Sequence, residues 1–136
     1  MLTSLVQNTA IPVLEQVVNF AQARQNVLAG NIANIDTPGY RMRDLSTDQF
    51  QARLKSAIHQ RDQMQSTVCV SPGHTRDNPV SEVGTSLADM LHHDDTNGNL
   101  EQQITAVAKN ELQHNLAISI MASQFRLLGA AVSERA

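Results

Sequence analysis

Apolar residues recur at both ends of the chain in alternating steps of three and four. Near the start, Ile11, Leu14, Val18, Ala21, Gln25, Leu28, Ile32 and Ile35 keep that rhythm, which marks one helix face pressed into a seam. Thr9 is placed to cap this helix, and Pro12 is tolerated in its first turn. Toward the end, Leu100, Ile104, Val107, Glu111, His114, Ile118, Met121, Phe125, Leu128 and Val132 repeat the alternation. A second row, Ala108, Leu112, Leu116, Ile120 and Leu127, widens the apolar face there. A stripe that wide serves more than one neighbour. The pattern predicts a mainly all-α chain whose long N- and C-terminal helices form an antiparallel coiled coil. Aligning Ile35 with Leu100 sets Gln25 beside Glu111 and His114, so the polar interruptions of both seams meet in one layer. Such a layer costs stability and fixes register.

Between the seams the pattern breaks. Asn34 to Tyr40 reads as a helix stop and a turn: Pro38 disfavours helix at Thr37, and Gly39 permits the positive φ of a type II turn. Ser46 or Thr47 then caps a short helix carrying Phe50, Leu54, Ala57 and Ile58. Residues 66–70 alternate weakly like a strand, and Leu87 to Leu91 suffice for one or two helical turns. Pro72-Gly73, Asn78-Pro79, Gly84 and Asn97-Gly98 punctuate the remainder. One structural domain follows, built by both termini: an N-terminal helix over 1–35, a turn, short helix and loop-rich, partly β middle over 36–99, and a C-terminal helix over 100–136.

Composition narrows the function. Only 3% of the 136 residues are aromatic and none is tryptophan, which favours aliphatic helix seams over a small-molecule pocket. The net charge is −3. Arg41/Arg43 and Arg53/Lys55 are the only close basic pairs, so no phosphate-reaching stripe for nucleic acid is present. Cys69, the single cysteine, cannot close an internal disulfide. Residues 1–10 lack the basic and apolar regions of a cleaved secretory signal. No run approaches the ~20 apolar residues of a bilayer span.

Candidate chemistry is thin. Glu111 and His114 have the Glu-x-x-His spacing of carboxylate-bridged di-metal bundles, but no second such pair exists, and only Glu15 is acidic on the first helix. The pair reads as a polar seam layer. His92-His93-Asp94-Asp95 reads as a solvated loop, and residues 94–101 lack the ligand alternation of a calcium loop. Cys69 sits between Val68 and Val70 with no basic neighbour to activate it. No catalytic, cofactor-binding or metal-binding residue is expected.

The most specific feature is the run from Arg24 to Arg41. Asn31-Ile32-Ala33-Asn34 followed by Thr37-Pro38-Gly39-Tyr40 resembles the N-terminal signature of the flagellar axial proteins, the rod, hook and hook-associated subunits. The short chain, Arg43-Asp44 after the signature and Phe50 opening a helix resemble a proximal-rod subunit of that family. Asn110, Leu112 and the stretch from Gln124 to Leu128 are similar too. Family members often enter the last helix through Asp-Gly-Asn-Asn-Val, where this chain has Asp95-Thr-Asn-Gly-Asn-Leu100. The resemblance implies a non-enzymatic subunit, exported through the flagellar type III apparatus without a cleaved signal and assembled as the rod in the periplasmic space. It implies torque transmission, an open export channel, and contacts with its own copies, FliE, FlgC and distal rod proteins. It also implies that the asparagines and the turn close the first helix and aim the chain outward. A second proximal-rod subunit of similar size is the nearest alternative. A helical adaptor or regulatory bundle is the alternative outside the family.

Overall fold

A computed structural model describes residues 9–66, 79–93 and 100–133. Helix α1 spans Ile11–Ala33 and α4 spans Leu100–Ser133. Between them lie strand β1 (Arg43–Leu45), α2 (Thr47–Ser66), the short α3 (Pro79–Glu82), a 3-10 helix (Val83–Met90) and strand β2 (Leu91–His93). The predicted long terminal helices are present and antiparallel. Cys69, residues 67–70 of the strand-like run and the entry to α4 from Asp95 to Asn99 lie outside the described residues.

Local chemistry sets the ends of α1. The Thr9 hydroxyl accepts a hydrogen bond from the Ile11 N–H at 3.2 Å, and Pro12 sits in the first turn, where its missing N–H breaks no bond. At the other end Asn34 donates to the Gly30 carbonyl twice, through its backbone (3.2 Å) and its side-chain amide (2.8 Å). The Tyr40 N–H then bonds the Thr37 carbonyl at 3.1 Å, with Pro38 and Gly39 between them and Gly39 at φ 78°. This is the expected type II turn. A Cβ on Gly39 would meet nothing within 4 Å, so replacement costs only backbone strain. Gly39→Val is expected to lower stability by about 1–3 kcal/mol in chemical denaturation. An unchanged midpoint would count against the turn assignment.

The Ser46 hydroxyl accepts from the Gln49 N–H at 3.3 Å and starts α2. That helix runs for 20 residues rather than being short. β1 and β2 pair antiparallel with Asp44 opposite His92, and the Ser46 N–H extends the pairing to the Met90 carbonyl.

The core lies on one side of α1, where Phe20 meets Leu45, Phe50, Ala57, Val80, Val83 and Met90. α4 packs along the adjacent face, at Ala21 and Gln25. α1 is the helix in the middle, and α4 packs chiefly against it. One consequence is that α4 keeps Leu112, Leu116, Ile120 and Leu127 exposed. By length and composition α4 also suffices to cross a membrane, although no unbroken apolar run stands out in it. Its inward polar residues Gln103 and Asn110 bond to other protein groups, as a packing helix requires.

Candidate functional site: the signature turn and the helix seam

Asn31 sits at the centre of the signature and is 1% exposed. Its Nδ2 donates to the Arg43 carbonyl at 2.6 Å, and its Oδ1 accepts from the Arg43 N–H at 3.1 Å. The side-chain amide thus pairs with β1 as a neighbouring strand would. The same Oδ1 accepts from the Tyr40 hydroxyl at 3.1 Å, and Nδ2 reaches Gln103 Oε1 on α4 at 3.3 Å. Gln103 Nε2 lies 3.5 Å from Met42 Sδ. One buried amide therefore joins α1, the turn, β1 and α4.

Of the other signature residues, Asn34 caps α1 and Ile32 is half-buried, whereas Ala33, Thr37, Pro38 and Gly39 are exposed. Asn31 points inward, and Tyr40 bonds to it.

A second tie lies beside it. Arg24 grips Asp44 with two hydrogen bonds, Nε to Oδ1 at 2.8 Å and Nη2 to Oδ2 at 2.7 Å. Asp44 Oδ1 also accepts from the Leu45 N–H at 2.7 Å. The hydrogen bond to Asp44, helped by its charge and opposed by burial, holds the Arg24 guanidinium above its ordinary range. A raised folded-state value gives stability that is complete below the ordinary arginine range. It fades only at more alkaline pH, so this proton does not make stability vary near neutrality. Both side chains are less than a third exposed. Asp44→Ala is expected to cost about 1–3 kcal/mol, and a double-mutant cycle with Arg24→Ala should show that most of it is shared. Additive losses would show that the pair is not coupled.

Along the helix seam the predicted periodicity and register meet a change of face. Ile11, Ala21 and Leu28 are buried, and Leu14, Val18, Gln25 and Ile32 are half-buried. On α4, Val107, His114, Met121 and Leu128 are half-buried, but Ile104, Glu111, Ile118 and Phe125 are exposed. Their places are taken one position earlier by Gln103, Asn110 and Ala117, all buried, and by half-buried Gln124. Hydrogen bonding explains the swap. Asn110 Nδ2 donates to the Ala21 carbonyl at 2.8 Å and to Gln25 Oε1 at 2.9 Å, so its donors are satisfied, while its Oδ1 is buried without a partner. Ala117 is small enough for close approach. Gln25, Glu111 and His114 line one cleft of about 400 Å³ with Asn110. The polar layer therefore exists, with Asn110 as its buried member. Among the described residues no three His, Cys, Asp or Glu side chains are placed to hold a metal.

Apolar spacing passes over Gln103 and leaves Asn110 as a family likeness with no packing role, because it assigns the seam to Ile104 and Glu111. It also missed Arg24 with Asp44, whose separation of 20 residues carries no local pattern.

A helix stop with a type II turn, a buried amide joining four segments and an apolar face turned outward define a helical subunit with surface to share. Comparison with known proteins agrees. The family described as "Flagella basal body rod protein" matches residues 18–41, the stretch holding Arg24, Asn31, Asn34 and the turn. The chain is 28% identical over 126 residues to the flagellar basal body rod protein FlgB of Escherichia coli (strain K12), covering 88% of this chain and 89% of that protein. The figures are 25% over 126 residues for FlgB of Salmonella typhimurium, with the same coverage, and 27% over 119 residues for FlgB of Yersinia enterocolitica, covering 82% and 85%. The chain is thus similar to the flagellar basal body rod proteins. Within that family, these relatives are FlgB proteins.

Proposed function

We propose that this chain is a structural subunit of the proximal rod, assembling with its own copies and other rod proteins to transmit torque and to line the export channel. The observation that carries this reading is the orientation of α4. The helix turns Gln103, Asn110 and Ala117 toward α1 and leaves Leu112, Leu116, Ile118, Phe125 and Leu127 exposed. A chain that stayed alone in water would do the reverse.

On this reading the partners are FliE on the membrane side, FlgC and the more distal rod proteins, and the site of assembly is the periplasmic space. The chain travels unfolded through the type III apparatus, and catalysis is no part of its role. Few aromatic residues and a single cysteine leave little to undo before passage.

Deletion of the gene followed by imaging of purified basal bodies tests the proposal. Bodies without a rod are expected, restored by the intact gene. Motile cells with complete rods would overturn it. A stable cytoplasmic pool bound to soluble partners would favour the adaptor alternative.

A further inference from the structure

A groove opens between α2 and α4 over the first half of α1. Val17 and Phe20 of α1 form its floor, Phe50 and Leu54 of α2 one wall, and Leu116 and Ile120 of α4 the other. Among the described residues none that lines it is charged, and it holds about 260 Å³. A cavity of about 150 Å³ takes a benzene-sized group, so this groove has room for two aliphatic side chains. Leu116 is 59% and Ile120 40% exposed along the α4 wall, apolar surface that a single chain in water gains by covering.

The same chain supplies a cover of matching chemistry. It bends at Thr9 and Ala10, just before α1. The Thr9 carbonyl accepts a hydrogen bond from Arg61 Nη1 of α2 at 3.4 Å. The point from which residues 1–8 leave is thereby held beside the helix that forms one wall of the groove. Leu14, at the near end of the groove, lies about 7.5 Å from Thr9 along the α1 axis. Four residues of extended chain span ~13 Å, so Leu5 and Val6 both reach the groove. No side chain from Met1 to Asn8 is charged, which suits an uncharged groove. Leu2, Leu5 and Val6 also have the spacing that gathers side chains on one side of a helical turn.

We propose that residues 1–8 fold back at Thr9 and lay Leu5 and Val6 into the groove between α2 and α4 of their own chain. This contact lies beyond the rod reading: it belongs to the lone chain, whatever that chain assembles into. Tethering favours this occupant. A segment joined to the groove by a few residues is present there at roughly millimolar effective concentration, whereas a separate partner has to come from solution. The segment acts as a latch, since anything else that enters the groove has to displace it.

Nuclear magnetic resonance of the full chain, dilute and methyl-labelled, tests the contact. Cross-peaks are expected from the Leu5 and Val6 methyls to those of Leu54, Leu116 and Ile120. A sample mixing chains of two isotopic labels separates contacts inside a chain from contacts between copies, and the cross-peaks should arise inside. Leu5→Asp brings a charge to a groove with no charged partner. It should move the docked-to-free ratio at least ~tenfold toward free, read as loss of the Val6 cross-peaks while the Ala21 and Asn110 signals of the α1–α4 seam stay in place. Leu5→Met keeps the apolar volume and should retain them. Cross-peaks that arise only between copies would give the groove to a second chain and overturn the latch. Their absence from the parent chain, or equal strength in Leu5→Asp, would overturn it too.

Discussion

Replacing Asn31 with leucine is expected to destabilise the protein by about 2–4 kcal/mol, measured by chemical denaturation. The Arg43 N–H and carbonyl, the Tyr40 hydroxyl and Gln103 Oε1 each lose a partner, and a buried polar group left unpaired costs about 1–3 kcal/mol. The losses are not additive, because Tyr40 and Arg43 can turn to water. Asn31→Asp is the informative companion. It keeps an acceptor for Tyr40 and the Arg43 N–H but removes the donor used by Arg43 and Gln103. Hydrogen exchange at the Arg43 N–H should therefore stay protected longer in Asn31→Asp than in Asn31→Leu, where protection is lost early while α2 stays protected. A leucine variant within about 0.5 kcal/mol of the parent would show that the amide does not hold these segments together.

The largest loss is expected from Phe20→Ala, about 3–5 kcal/mol. Phe20 stacks on Phe50 with ring centroids 4.1 Å apart and 13° between planes. It also joins α1 to Leu45, Val80, Val83 and Met90. Truncation leaves a cavity at the junction of α1, α2 and the 3-10 helix. Hydrogen exchange is expected to rise first in β1, β2 and the 3-10 helix, while the α1–α4 seam at Ala21 and Asn110 lasts longer. A loss below about 1 kcal/mol would mean that the core is organised elsewhere.

Much of the architecture was legible because it rests on local chemistry. Thr9, Asn34 and the Pro38-Gly39 pair act within a few residues of their place in the chain, and each does what its type suggests. The register of α1 against α4 was legible too, since matching the polar interruptions brings Gln25 into one cleft with Glu111 and His114. The face that α4 turns inward was not. Apolarity points to Ile104, Ile118 and Phe125, but a seam between two helices also rewards amides that can reach a backbone carbonyl. Asn110 does so at Ala21. The pairing of β1 with β2 left no trace either. Each strand has three residues, too few for an alternation, and they lie far apart in sequence. Asn31 shows the limit of motif reading. The motif marks the residue as special, and only the fold shows that it serves the interior.

Antiparallel pairing of α1 and α4 has a mechanical side. It brings the start of α1 and the end of α4 to the same end of the molecule, with Asn31 and Gln103 at the other. Tension applied at one chain end peels the two helices apart layer by layer, so little force is needed at any moment. Load applied across the length of the helices engages every layer at once, including the Asn31 clamp. Such a subunit is soft to threading by its end and stiff to twisting along its side.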